Sequence, residues 1–364
     1  MNKINFFRIF ACIAFVALAG FSCFWTAESL FVWQPSITIY GAWFIAIVFF
    51  MIASICFGKL LKTLDKNEDF YGKLFGRTGA LLLSLVGLVV FWLVVSLPTN
   101  THTLLYRASI KNAITADLNR TQGYLQGLKD NNVEIKKIDQ KYKSKNEAVD
   151  AIIIRLVAEI DNLSAIGIGP RFETILVELD RILSVDANNP AKIQRVTNVG
   201  SSRTQWLATI NYYQQQAYDQ LKLYRSTCDK EINEIKSTMG SKELDNLIKN
   251  NKIALSDIYK MNGVNNDIIQ AAIGDLVNSY AYIKANAQYI NFKDGDKNRY
   301  TREGAMPEAK EMLSVPDVWK DYLTTDKYDG HGFVWWILIA LLVDLAGFIF
   351  YNISFNSKNN NALS

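Results

Sequence analysis

Residues 333 to 351 read FVWWILIALLVDLAGFIFY, an apolar run with one ionisable side chain, Asp344, a little past its middle. A helix rising 1.5 Å per residue needs about 20 such residues to cross a hydrocarbon layer of about 30 Å. A helix this apolar on every face has no place on the surface of a soluble protein. Three further stretches of the same character stand near the start of the chain, at about residues 9–25, 37–57 and 78–97. The spacing predicts an all-α, multipass membrane protein with four transmembrane helices in a 3+1 order. Residues 1–97 form an N-terminal membrane domain and 98–332 a large helical, coiled-coil-like extracytoplasmic domain between helices 3 and 4. Residues 333–351 form the fourth transmembrane helix, and 352–364 a short cytoplasmic tail.

Basic residues orient these spans. Lys3 and Arg8 precede the first, Lys59, Lys62, Lys66, Lys73 and Arg77 lie between the second and third, and Lys358 follows the fourth, whereas residues 26–36 hold no Lys or Arg. By the positive-inside rule both termini are cytoplasmic. Small residues around Ala17, Ala19 and Gly20 imitate a signal-peptide cleavage site, but the apolar run continues to Trp25, so a retained anchor is expected.

Eight of the 39 Lys and Arg residues and five of the 35 acidic ones lie outside residues 98–332, which leaves that region almost neutral. The basic surplus therefore reports topology and argues against nucleic-acid binding. Cys12, Cys23 and Cys56 fall in spans, and Cys228 is alone in the polar region, so no bridge can form within it. An exported domain of this size without disulfides fits a bacterial periplasm.

Between residues 98 and 332 apolar residues recur at helical spacing. Ile110, Ile114, Leu118, Leu125 and Leu128 make one stripe; Val149, Ile153, Leu156, Ile160 and Leu163 a second; Phe172, Leu176, Leu179 and Leu183 a third, with Gly167, Gly169 and Pro170 separating the last two. The most regular runs through Trp206, Ile210, Tyr213, Ala217, Leu221, Tyr224, Cys228, Ile232, Ile235 and Met239 in steps of 4, 3 and 4. That repeat of about 3.67 residues per turn predicts a nearly straight or slightly right-handed helix ending at Gly240. Another stripe, Ile269, Ala272, Leu276, Tyr280, Ile283, Ala287 and Ile290, leads through a polar loop at 293–304 to a final juxtamembrane helix. An intramolecular bundle satisfies these stripes among themselves. Both membrane exits are expected to continue as helical stalks, the first kinked or broken at Pro98.

Asp344 is the sharpest polar feature. An aspartate at the centre of a span costs about 3 kcal/mol, so it must be protonated, paired or turned towards a wet interior. Ala340 and Gly347 share its helical face and allow another helix to come close. The reading divides between helix pairing and an ion or proton relay; Ser84, Tyr40, Thr38 and Ser54 are candidate hydroxyl partners. His102 and His331, the only histidines, flank the polar domain at its membrane boundary; a pH-sensitive hinge or a weak metal site is one reading of the pair, and an ordinary interfacial role is the expected one. Asp294, Asp296 and Asn298 imitate the opening of a calcium loop, but Arg299 stands where glycine is needed and Ala305 where glutamate is, so a solvated turn is expected. Tyr212, Tyr218 and Leu223 lie off the regular stripe and form a candidate partner surface.

No zinc-protease motif, nucleophile elbow or paired-cysteine motif occurs, and Gly167-Ile168-Gly169-Pro170 lacks the strand and lysine of a phosphate loop. No catalytic residue, metal or cofactor is expected. The reading is a non-enzymatic inner-membrane subunit or scaffold in contact with membrane lipids and with membrane and periplasmic protein partners, or with further copies of itself. It would belong to a larger secretion, transport-energising or stress-sensing complex. The alternatives are an ion- or proton-coupled transporter or motor component using Asp344, and a membrane sensor with a periplasmic ligand-binding domain.

Overall fold

The computed structural model describes residues 6–64, 76–162, 167–184, 192–325, 327–328 and 332–356. The described chain is helical, with no strand among the described residues. The helices are α1 (Phe6–Trp33), α2 (Ile39–Leu64), α3 (Gly76–Val90), α4 (Leu97–Lys129), α5 (Asn132–Ile160), α6 (Pro170–Leu183) and α7 (Arg203–Met239). They continue as α8 (Lys242–Lys260), α9 (Asn266–Ala285), α10 (Asp296–Thr301), α11 (Glu308–Glu311), α12 (Val315–Thr324) and α13 (Phe333–Tyr351). Four helical segments among them are long and apolar enough to cross a membrane: Phe6–Trp33, Ile39–Leu64, Gly76–Lys129 and Phe333–Phe355. The chain divides into two compact units, one of residues 1–122, 250–281 and 298–364 and one of 123–249 and 282–297.

In the first unit the apolar helices alternate in direction. Arg77 Nε donates to Thr63 O at 2.9 Å, and a Cβ on Gly87 would strike Cys56 Sγ, so α2 and α3 run antiparallel. Phe10 meets Phe350 and Phe15 meets Tyr351, while Ser22 meets Asp344, which makes α1 and α13 antiparallel as well. Their core is aromatic: Phe348, fully buried, lies 5.3 Å from Phe50, 5.5 Å from Phe57 and 5.7 Å from Phe91, centroid to centroid. Hydrocarbon solvates an apolar helix as well as another helix does, so dispersion contacts of this kind and polar pairs must hold the spans together.

The helix does not break at Pro98. Phe91–Ser96 forms a π-helical turn between α3 and α4, and the helix continues to Lys129. Proline lacks the N–H that Val94 O would accept, and its ring crowds that carbonyl; widening the preceding turn relieves the clash without ending the helix. Among the described residues the fourth span has no matching stalk. Helix α12 stops at Thr324, Thr325 is extended, and Gly332 takes a left-handed φ of +69° immediately before α13.

The second unit realises the predicted stripes as an intramolecular core. Leu156 and Ile160 of α5, Phe172, Leu176 and Leu179 of α6, and Ile210, Tyr213, Ala217 and Leu221 of α7 are buried together, and Cys228, Ile232 and Ile235 join Ile138 in a further cluster. Leu163 lies outside the described residues. Ser202 and Gln205 form a reciprocal capping box that starts α7, and α7 ends at Met239, before Gly240. Gly167 is required where it stands: its φ is +103°, and a Cβ there would come within 2.7 Å of the Trp206 ring.

Several boundaries differ from the periodicity. Helix α8, which buries Leu244 and Ile258, occupies a stretch to which the stripes assign no element. The stripe from Ile269 holds as far as Ile283, but α9 ends at Ala285, leaving Ala287 in a short 3-10 turn and Ile290 beyond it. The polar loop at 293–304 contains α10.

Candidate functional site

A polar seam runs between α1 and the helix formed by the π turn and α4. On α1 it uses Ser22, Thr26 and Ser29, at i, i+4 and i+7; on the facing helix it uses Ser96, Asn100 and Thr103 at the same spacing, with Thr99 and His102 beside them. These spacings place each set on one helical face. All eight side chains are buried. Contacts ascend together from Ser22–Asn100 to Ser29–His102 and Glu28–Arg107, so the two helices are parallel.

Asp344 sits at one end of this seam, fully buried. Ser22 Oγ donates to its Oδ1 at 2.6 Å, and Ser96 Oγ donates to its Oδ2. Asn100 Nδ2 donates to both hydroxyls, at 3.1 and 3.0 Å, and Asn100 Oδ1 accepts from Thr26 Oγ1 at 2.8 Å. Thr99 Oγ1 lies 3.1 Å from Thr26 Oγ1 and donates to Val95 O at 2.6 Å. From Thr26 through Asn100 and the two serines, each hydrogen bond points towards the carboxyl group. The Trp92 indole nitrogen is buried with no hydrogen-bond partner and lies close to the same carboxyl group. Ala340 is fully buried, and an added Cβ on Gly347 would meet Phe50 Cζ at 3.2 Å and Leu18 Cβ at 3.7 Å. The small face of α13 thus admits α1 and α2 closely.

The hydroxyls named from the sequence do not serve Asp344. Ser54 donates to Phe50 O within its own helix, Thr38 accepts from Gly41 N at the start of α2, and Tyr40 is exposed. Ser84 is buried, but Asp344 is satisfied by Ser22 and Ser96. The π turn is what brings Ser96 into play. One wide turn rotates the following residues relative to α3, and such turns recur at functional sites.

Beyond the apolar part of the third helix, which ends at Leu97, His102 is fully buried. Its Nδ1 lies 2.9 Å from Ser29 Oγ and its Nε2 2.9 Å from Met312 O. A carbonyl can only accept, so Nε2 carries a proton, and in the neutral imidazole Nδ1 accepts from Ser29 Oγ. Burial lowers its pKa to about 4, against the opposing effect of the Met312 carbonyl. The unfolded chain binds this proton near 6.5 and the folded chain does not, so stability falls as pH drops through the window between those values, by on the order of 3 kcal/mol in full. We expect His102→Gln to flatten the dependence of the unfolding temperature on pH between 7 and 5 in detergent. An unchanged slope would show that other groups set it. His331 lies outside the described residues.

Further contacts extend the seam past the apolar stretch. Arg107 makes a bidentate pair with Glu28, at 2.5 and 2.9 Å, and its guanidinium lies over the Phe24 ring. Thr103 Oγ1 donates to Trp25 O at 2.6 Å, Trp319 Nε1 to Pro98 O at 3.1 Å, and Tyr106 OH to Asn266 Oδ1 at 2.8 Å. Apart from Asp344 and His102, the sequence reading did not single out these residues. The signal was present as the i, i+4, i+7 polar rows, but they straddle the points where hydropathy falls.

In the second unit Tyr212, Tyr218 and Leu223 are exposed. Tyr218 OH donates to Asp150 Oδ1 at 2.7 Å, which ties it to α5, whereas Leu223 remains open to solvent. The calcium-loop candidates are built otherwise: Asp296 begins α10 and accepts from Tyr124 OH at 2.6 Å, Asn298 follows on the same helix, and Asp294 is exposed. Among the described residues no group of three His, Cys, Asp or Glu side chains could hold a metal ion. Compared with known proteins, the chain matches no family model, no curated protein and no solved structure.

Proposed function

We propose that the chain is a non-enzymatic, multi-span scaffold subunit of a bacterial inner membrane, with cytoplasmic termini and residues 98–332 in the periplasm, where it engages envelope protein partners. The observation that carries this reading is the closed hydrogen-bond chain at Asp344. Both carboxylate oxygens, both serine hydroxyls and the Asn100 amide are already satisfied by one another, which suits a permanent joint between α1, α4 and α13. The alternating helix directions and the Lys and Arg residues around 59–77 support the orientation.

Protease added to intact spheroplasts is expected to cut within 98–332 and to spare both termini. Protection of that region until lysis would overturn the orientation. Gentle detergent extraction is expected to recover the chain with protein partners, and a monomer that moves a solute in liposomes would sink the scaffold reading.

A second reading, in which Asp344 titrates as part of an ion- or proton-coupled machine, draws support from the file of hydroxyl and amide groups leading to it. That file ends at Thr99, which is bonded to a backbone carbonyl, and the hydrogen bonds described join no second titratable group to Asp344. Asp344→Asn separates the two readings. Retained assembly with loss of an ion-dependent activity favours titration, and retention of both favours the joint.

A further inference from the structure

Where the third apolar helix leaves its hydrocarbon-length stretch, the first unit contains a cavity of about 760 Å³. Its walls come from the end of α1, from α2, from the π turn and Pro98, from α12 and from α13. We propose that this cavity is a binding site for an acyl chain of a bilayer phospholipid. The inference rests on the membrane-spanning reading of these helices.

Four observations point to that occupant. First, the lining is hydrocarbon except for Thr99, whose hydroxyl is engaged by Val95 O and Thr26, and for the Trp33 and Trp319 indoles. Water needs two to four polar partners and finds almost none here. Second, the wall residues Phe49, Leu93 and Val94 are exposed in this chain, so the cavity opens onto the surface that lipid must cover. Third, the facing helix contributes only residues from Leu93 to Thr99, about 10 Å of its length, and α2 contributes one turn, Ile45 and Phe49. A partner helix would need apolar contacts over several successive turns, whereas a flexible chain fits a short recess. Fourth, Trp319 is held by its bond to Pro98 O, and together with Trp33 it provides indoles of the kind that settle at the lipid–water boundary.

The site has a structural consequence for the seam. Leu93, Val94 and Val95 belong to the same π turn that presents Ser96 to Asp344. A chain packed against that turn braces it.

The test uses the full chain reconstituted in phosphatidylethanolamine and phosphatidylglycerol vesicles that carry a phospholipid with a photoreactive diazirine on its acyl chain. After irradiation, label is expected to concentrate on peptides containing Leu93–Thr99 and Val315–Trp319, relative to Ile52 and Ile55, which are exposed elsewhere on α2. Ile45→Trp, which fills the recess, is expected to lower that preferential label about tenfold, the change that ~1.4 kcal/mol of lost binding produces, and to leave Ile52 and Ile55 unaffected. Ile337→Trp provides the same test from α13 should the first variant not fold. Equal labelling of the recess and of Ile52 and Ile55 would reduce the occupant to ordinary surrounding lipid and overturn the proposal. Cross-linking of the recess to another polypeptide would overturn it in favour of a docking helix. Absence of label from all four apolar helices would instead overturn the membrane reading itself.

Discussion

Replacing Ser22 and Ser96 together with alanine is expected to destabilise the membrane helices by about 3 kcal/mol, the sum of two hydrogen bonds to a buried acid in a setting where each is worth about 1 to 2 kcal/mol. The variant removes both hydroxyl donors of Asp344, leaving the Trp92 indole as the one N–H close to it, and strands the two N–H groups of Asn100, which now serve those serines. Adding Asp344→Leu to the same background is expected to recover most of the loss, because it removes the group whose desolvation is no longer compensated. Asp344→Asn alone is expected to cost about 1 kcal/mol or less, since an amide keeps one acceptor oxygen and the serine hydroxyls can rotate to accept from its nitrogen. Unfolding measured in mixed micelles would give the whole cycle, and strong non-additivity is the signature of groups acting as one network. If the double alanine variant lies within about 0.5 kcal/mol of the parent, the scale of ordinary surface changes, Asp344 is not held as described.

Phe172→Ala is expected to have the largest effect in the second unit. Its ring is fully buried among α5, α6 and α7, with its centroid 6.3 Å from that of Tyr213. Truncations of this kind cost about 3–5 kcal/mol, through lost burial and the cavity left behind, which is a large part of the 5–15 kcal/mol that typically holds a domain together. Hydrogen exchange should show faster opening of amides across α5, α6 and α7, while the aromatic core around Phe348 in the first unit keeps its protection. Phe172→Leu is expected to lose less than half as much, because most of the volume is retained. A uniform rise in exchange across both units would mean that the chain opens as one body, contrary to its division into two compact units.

The spans were legible because hydropathy alone reports them. The run 333–351 coincides with α13, the runs 9–25 and 78–97 lie within α1 and the helix that begins at Gly76, and the run 37–57 starts two residues before α2. Stripes such as Phe172–Leu183 and Ile210–Ile235 were legible for the same reason: burial of one face is written as a period close to 3.6. That period can be passed over, and it can outrun the helix that carries it. Helix α8 was missed although it buries Leu244 and Ile258, and the α9 stripe was extended past Ala285 because Ala287 and Ile290 keep the spacing after the backbone has left the helix.

Asp344 announced itself as an acid in an apolar helix, and the small residues beside it announced a close neighbour. Its partners did not, because hydroxyl and amide side chains at the ends of α1 and the third apolar run look like the onset of a loop. By itself, the sequence determined how many membrane-length helices there are and which single buried acid needed a partner, since composition and periodicity are properties of local segments. Only the tertiary structure decided that Ser22, Ser96 and Asn100 meet that need. The meeting depends on the parallel register of α1 with α4, which is set by helices far apart in the chain, and on one widened turn before Pro98, which only the folded backbone reveals.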